Sequence, residues 1–280
     1  MSEVLVLGAG GMLGRAWREL LHERGIHHVA ANRADLDLQD EAALASGIAK
    51  DTKWVVNCAA YTMVDAAEAH EELATEINGY AVGRLAERCK AVGAKLIHYS
   101  TDYVFDGTAT TPYRSDHPRQ PVNAYGRSKA LGEELIERSG VENLLIRTSW
   151  LYAPWGKNFV LTMRELTKAR DSLRVVDDQR GRPTDCRRLA EVSLALAEEG
   201  SRGTFHVTDA GECTWHGLAT LIAEVVNRGC RVEPCTTDEF PRPAPRPPYS
   251  VLDISATEGV VGPLVPWEDR VRDVLAHVAA

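Results

Sequence analysis

The sequence predicts an α/β fold: a Rossmann-like, doubly wound parallel sheet carrying a smaller, discontinuous C-terminal α/β lobe. Three observations lead there. Short β-rich apolar runs alternate with longer amphipathic ones through the first 150 residues, a glycine cluster follows the first apolar run, and the alternation loosens after Trp150. Such alternation is the pattern of βαβ units, in which parallel strands need helical crossovers and helices cover both faces.

In order along the chain, Val4 to Leu7, His28 to Ala31, Trp54 to Cys58, Lys95 to Ser100 and Leu144 to Ser149 read as strands. Residues 12 to 24, 40 to 50, 75 to 92 and 125 to 139 read as the helices between them. Beyond Trp150 the pattern predicts a helix at 158 to 170, a strand at 173 to 177, a helix at 185 to 199, a strand at "TFHV", and helices at 215 to 228 and 267 to 278. The expected division is residues 1–150 as the first domain, rejoined by about 176–210, with about 151–175 and 211–280 as the second lobe. The run "PRPAPRPP" suits a rigid loop beside a site better than an SH3-type ligand.

Composition narrows the function. A hydrophobic content of 44% over 280 residues is that of a globular protein. No apolar run approaches the ~20 residues of a membrane span, and "MSEVLVLGAG" lacks the basic start and cleavage site of a signal peptide, so the expected location is the cytoplasm. A net charge of -8 argues against a nucleic-acid partner, which needs a basic surface. The six cysteines lack CxxC spacing and read as free thiols, and the nine histidines lack ligand spacing, so no protein-bound metal is expected. Seven lysines stand against 25 arginines, and segments such as "DDQRGRPTDCRR" offer guanidinium forks suited to a small phosphorylated ligand.

"VLVLGAGGMLGRAW" places Gly8, Gly11 and Gly14 between the first strand and the first helix. Glycines there let the backbone turn tightly and approach a pyrophosphate, while the helix N-terminus offers unpaired N–H groups and partial positive charge. The GxxGxxG spacing is looser than GxGxxG, but strand before and helix after make dinucleotide binding the reading. At the end of the second strand, Arg33 stands where an acidic residue would hold the NAD ribose, which favours NADPH, with NADH as the alternative. Asp37 and Leu38 follow in position to line the adenine.

"NAYGRSK" sets Tyr125 and Lys129 one helical turn apart, on one face. The strand ending "HYSTDYVFDG" carries Ser100, Thr101 and Asp102 to the carboxyl edge of the sheet, where open α/β sheets bind ligands. Reducing a ketone takes a hydride at carbon and a proton at oxygen. A tyrosine can give that proton, and a nearby ammonium is expected to lower its pKa from about 10 toward neutrality. Thr101 can hold the substrate oxygen.

With "GAGGMLG", "VVNCAAYTMVDAAE", "IHYSTDYVFDG", "NAYGRSK", "LLIRTSWLYA", "KNFVLTM", "DDQRGRPT", "TFHVTDAGECTWHGLA" and "RPPYSVLD" in view, the chain resembles the extended short-chain dehydrogenase/reductases, and within them the dTDP-4-dehydrorhamnose reductase family. The resemblance runs over nearly the whole length. It implies Thr101, Tyr125 and Lys129 as the catalytic set, with Lys129 also on the nicotinamide ribose. It implies Gly8, Gly11, Met12, Leu13 and Gly14 at the pyrophosphate, and Asp37, Leu38, Ala59, Ala60 and Tyr61 along the cofactor. Thr62, Val64, Asp102 and Trp150 would line a nucleotide-sugar pocket, joined by Asn158 and Arg246, with core packing for Trp150 and a helix cap for Asn158 as the alternatives.

The implied reaction is hydride transfer from NADPH to C4 of a dTDP-4-keto-6-deoxy-L-sugar, converting dTDP-4-dehydro-L-rhamnose to dTDP-L-rhamnose, with the first domain as the NADP site and the second lobe holding the nucleotide sugar. Related dTDP-4-ketosugar reductases, as for dihydrostreptose, share the scaffold, and so does the non-catalytic regulatory subunit of methionine adenosyltransferase. Some dimeric members carry a magnesium-ligating glutamate two residues after the last loop glycine. Ala16 stands there, so the expectation is a monomer or a homodimer without a metal bridge.

Overall fold

The structure is a computed structural model and describes residues 4–279. Its first half runs β1 (Val4–Leu7), α1 (Met12–Glu23), β2 (His28–Ala31), α2 (Glu41–Gly47), β3 (Trp54–Asn57), α3 (Val64–Ala69), α4 (Glu71–Thr75), a π-helical turn (Glu76–Tyr80) and α5 (Ala81–Val92). β4 (Lys95–Thr101), a 3₁₀ turn (Asp102–Val104), α6 (Ala124–Ser139) and β5 (Asn143–Thr148) complete it. After β6 (Leu151–Tyr152) come α7 (Phe159–Ala169), β7 (Ser172–Val176), β8 (Arg180–Gly181), β9 (Thr184–Asp185), α8 (Cys186–Glu198) and β10 (Gly203–His206). β11 (Cys213–Thr214), α9 (Trp215–Val226), β12 (Arg231–Cys235), α10 (Ser255–Val261) and α11 (Trp267–Ala279) close the chain.

Six parallel strands make the main sheet in the order β10-β5-β4-β3-β1-β2. Side-chain alternation divides their apolar residues between two cores. Val4, Val6, Val56, Ile97 and Ile146 pack with Leu13, Trp17 and Leu189 of α1 and α8 on one face. Leu5, Leu7, Val55, Leu96 and Leu145 pack with Leu85, Cys89 and Ile136 of α5 and α6 on the other. Burial on both faces explains why these strands read as continuous apolar runs.

Strand order reverses direction between β1 and β3. At such a switch point the crossovers leave on opposite faces and open a crevice at the carboxyl ends of the strands. The glycine loop follows β1 and the Cys58–Ala60 segment follows β3, so both border that crevice.

A third core lies beyond β5, where Val160, Met163, Leu173, Leu218, Ile222, Trp267 and Val271 join α7, α9 and α11 to the parallel pair β7–β12. Between its parts, α8 packs on α1 and β10 adds to the edge of the main sheet beside β5. Several elements differ from the sequence reading. The helix expected over 75 to 92 is the end of α4, the π turn and α5 in succession, α3, α10 and the two-residue strands β6, β8, β9 and β11 were not expected, and β12 falls in a stretch with no strand signal. Among the described residues, no helix is long and apolar enough to cross a membrane.

Candidate active site

A cleft of about 850 Å³ opens at the switch point and runs from the glycine loop to the second lobe. At one end Gly8 sits at φ +70°, a conformation that disfavours side chains, and a Cβ there would lie 2.6 Å from Ala59 N. Gly14 lacks room for a different reason: a Cβ would stand 2.2 Å from Gly8 O, so its hydrogen lets α1 seat against the turn. Gly14 thus acts by packing and does not line the cleft, whereas Gly8, Gly11, Met12 and Leu13 do. No side chain caps α1, and its first turn holds no acid, so its N-terminal N–H groups face the cleft free to take an anion. This cradle fits a dinucleotide pyrophosphate.

Arg33, Asp37 and Leu38 line the same end. Arg33 Nε donates to Asp37 Oδ2 at 3.0 Å and its other arm to Gln39 Oε1 at 3.1 Å, leaving the guanidinium exposed. The Gln39 N–H and Arg33 hold the Asp37 carboxyl below its usual range. Along the opposite wall run Ala59, Ala60, Tyr61, Thr62 and Val64. Asn78, in the π turn, clamps this wall: its Oδ1 accepts from Tyr61 N at 2.8 Å while its Nδ2 donates to Tyr61 O and to Ser128 Oγ on α6.

Tyr125 and Lys129 reach the cleft because α6 starts hard against the end of β4. Asn123 caps it, accepting from Gly126 N at 2.7 Å, and a Cβ on Gly126 would fall 2.1 Å from Tyr103 O. Thr101 Oγ1 donates to Asp102 Oδ1 at 2.9 Å, accepts from Tyr103 N at 3.2 Å, and lies in hydrogen-bond reach of the Tyr125 phenol. The rings of Tyr103 and Tyr125 meet edge to face with centroids 6.0 Å apart.

Electrostatics here correct one expectation. Burial and the Asp102 charge push the Tyr125 phenol above its ordinary pKa, against a smaller pull from Thr101. Lys129 does not hydrogen-bond it. Lys129 Nζ donates to Tyr99 O at 2.6 Å and lies 3.3 Å from His98 Nε2. Burial lowers Lys129 to about 8, with Glu133 opposing. Asp102 is raised to about 6 by burial, with hydrogen bonds from Ser250 and Thr101 opposing.

At the far end Trp150 stands at φ +48°, in a left-handed conformation rare for a bulky side chain. Its indole stacks on Trp215 with centroids 3.6 Å apart and planes 11° from parallel. Trp215 was not among the expected site residues. It opens α9, whose N-cap Thr214 accepts from Gly217 N, and only the lobe's packing brings it to Trp150. Tyr103 and Ser149 are further cleft residues that the sequence reading passed over.

Asn158 and Arg246 do not line the cleft. Asn158 caps α7, accepting from Leu161 N at 3.0 Å and donating to Ala153 O at 2.9 Å, which uses its amide in the fold. Arg246 is ion-paired with Asp65 of α3 and donates to Ala244 O at 2.7 Å, tying the proline-rich loop to the first domain beside Val64. Among the described residues, no group of three or more His, Cys, Asp or Glu gathers so as to hold a metal ion.

The switch-point cleft, with a glycine loop at one end and a threonine, tyrosine and lysine at its centre, is that of an extended short-chain dehydrogenase/reductase. More narrowly, the chain belongs to the RmlD substrate binding domain family, whose model matches residues 1–280. A dTDP-4-dehydrorhamnose reductase of Streptomyces griseus is 43% identical over 272 residues, 94% of this chain and 90% of that one. The spore coat polysaccharide biosynthesis protein SpsK of Bacillus subtilis is 38% identical, covering 98% and 97%. Among solved structures, dTDP-4-dehydrorhamnose reductase from Bacillus anthracis in complex with NADP superimposes with a TM-score of 0.94 at 34% identity, covering 99% of this chain and 100% of that one.

Proposed function

We propose that the protein reduces the C4 ketone of dTDP-4-dehydro-L-rhamnose to dTDP-L-rhamnose with NADPH. One observation carries this: a single cleft joins an anion-binding helix N-terminus, a protonated phenol beside a threonine hydroxyl, and a stacked indole pair. NADPH, when bound, supplies the hydride. Gly8, Gly11, Met12 and Leu13 would hold its pyrophosphate, Arg33 its 2′-phosphate, and Ala59, Ala60 and Tyr61 its flank.

Tyr125 is the general acid. Its raised pKa keeps the phenol protonated at neutral pH, so the proton is in place before the ketone needs it. Thr101 orients the ketone oxygen, and Asp102, Thr62 and Val64 border the sugar. Trp150, just before the second lobe of about residues 151–175 and 211–280, and Trp215 within it present their stacked indoles to the nucleotide. The protein acts in the cytoplasm. It is a monomer or a homodimer without a metal bridge, since Ala16, on the buried face of α1, offers no ligand.

The test is NADPH oxidation with a panel of dTDP-4-ketosugars, followed by assignment of the product's C4 configuration. Turnover of dTDP-4-dehydro-L-rhamnose with formation of dTDP-L-rhamnose supports the proposal. Preference for another ketosugar would move the assignment within the family, as the 39% identity to a dTDP-4-keto-6-deoxy-D-glucose reductase of Streptomyces niveus illustrates. Binding of NADPH without reduction of any of them would favour a regulatory role.

A further inference from the structure

The Lys129 amine meets a histidine whose protonation state can be read from hydrogen-bond geometry. Asn57 Oδ1 accepts from Ala59 N at 3.1 Å. A backbone N–H only donates, so the oxygen of the Asn57 amide faces Ala59 and its nitrogen faces His98. Asn57 Nδ2 lies 3.1 Å from His98 Nδ1 and can only donate to it. His98 Nδ1 is therefore a bare acceptor, the ring is neutral, and its one hydrogen is on Nε2. That hydrogen points at Lys129 Nζ, 3.3 Å away.

An ammonium has three donors and no acceptor, and would set N–H against N–H across this contact. A neutral amine accepts from His98 and still donates to Tyr99 O. All three side chains are buried, with His98 0%, Asn57 1% and Lys129 2% exposed, so water cannot relieve the conflict.

We propose that His98, oriented by Asn57, is a positioning residue that faces Lys129 with an N–H donor and so favours the neutral amine over the ammonium at this contact. The inference rests on reading Lys129 as part of the reductase site. Other groups facing Lys129 leave the sign unchanged. Glu133, one turn along α6, favours the ammonium, but its carboxylate is engaged by Arg147 of β5 at 2.7 Å and by Arg119 at 3.1 Å. His206 stands behind Arg147 and is held neutral by burial and that guanidinium. Asp102, Tyr103 and Tyr125 gather at the end of β4, with Thr101 between Asp102 and Tyr125. The lowered pKa of Lys129 agrees with the geometry, as does that of His98, which burial and then Lys129 hold well below its ordinary value.

The test needs no substrate, so failure of the reductase reading would leave it intact. ¹⁵N spectra of histidine-labelled protein report which ring nitrogen of His98 is protonated, and ¹³Cε shifts report Lys129 among only seven lysines, with Lys129→Met and His98→Asn as assignment variants. The expected result is an Nε2–H ring and a Lys129 midpoint near 8. Asn57→Asp keeps an acceptor for Ala59 and offers another to Nδ1. It should move the ring proton to Nδ1, turn Nε2 into an acceptor and raise the Lys129 midpoint by about one unit or more. An Nδ1–H ring in the unaltered protein, or a Lys129 midpoint beside the ordinary lysine value of about 10.4, would overturn the proposal even if Asn57→Asp failed to fold.

Discussion

The Trp150 indole lies 3.6 Å from that of Trp215, and Trp150 holds this position from a left-handed backbone at φ +48°. Trp150 lies between β5 and β6 and Trp215 opens α9, so one contact spans the cleft's far end. Replacing Trp215 by Ala removes an aromatic face worth about 0.5–1.5 kcal/mol beyond its buried area. The expected result is a KM for the dTDP-sugar raised about tenfold with turnover at saturation nearly kept, the signature of lost uniform binding. A large fall in kcat with unchanged KM would assign Trp215 to chemistry instead.

The same backbone angle yields a stability prediction. Both Trp150→Ala and Trp150→Gly lose the stack, but only glycine relaxes at positive φ. Trp150→Gly should therefore be the more stable of the two by about 1 kcal/mol, measured by chemical denaturation. The usual order in extended backbone is the reverse.

How much of this was legible in the sequence depends on the range of the interactions involved. β1 and β2 coincide with their predicted spans, because Val4–Leu7 and His28–Ala31 are local signals bounded by polar residues and glycine. The turn at Gly8 and Gly11 was legible because a glycine loop between a strand and a helix is a local motif. β12, "RVEPC", was not, since it contains a proline, is mostly exposed and becomes a strand only by pairing with β7. Trp215 was quoted within a motif without a role, because 65 positions separate it from Trp150 and only packing of α9 unites them. Asn158 stood open between a nucleotide contact and a helix cap, and its amide caps α7, accepting from Leu161 N and donating to Ala153 O.

Tyr125→Phe tests the general acid. It deletes one oxygen, leaves the edge-to-face contact with Tyr103 in place, and touches neither the glycine loop nor Arg33. NADPH affinity should be nearly unchanged and kcat should fall by ~10²- to 10⁴-fold, followed as loss of nicotinamide absorbance in single turnover. Full activity would remove Tyr125 from the mechanism.

Asp102 gives a pH prediction with a definite sign. Its carboxyl titrates at about 6 in the fold against 3.8 for an unperturbed aspartate, burial being the main cause, and its Oδ2 has no hydrogen-bond partner. The folded state thus binds the proton more tightly than the unfolded chain. The associated stability is fully present below pH ~4 and is lost as pH rises through about 6, a difference on the order of 3 kcal/mol. Asp102→Asn, neutral at every pH, should be more stable than the unaltered protein at pH 8 and show little advantage at pH 4, in urea titrations at the two pH values. An equal effect at both would mean that the buried charge is not the source.

The proposed role of Arg33, choosing between two cofactors that differ by one phosphate, is testable. Its guanidinium is exposed at the cleft mouth and anchored through Nε to Asp37 at 3.0 Å, so the fork is oriented by the protein before any ligand arrives. Exposure moderates its electrostatic contribution, but orientation reduces the side-chain entropy that a free surface arginine would lose. Arg33→Ala should raise the KM for NADPH about tenfold, equivalent to about 1.4 kcal/mol, and leave that for NADH within a factor of about two. Because the contact is charge-assisted, the NADPH penalty should shrink as salt is raised from low to high ionic strength, while NADH should respond weakly in both proteins. Equal losses for the two cofactors would show that Arg33 supports the loop through Asp37 and Gln39 and does not read the 2′-phosphate.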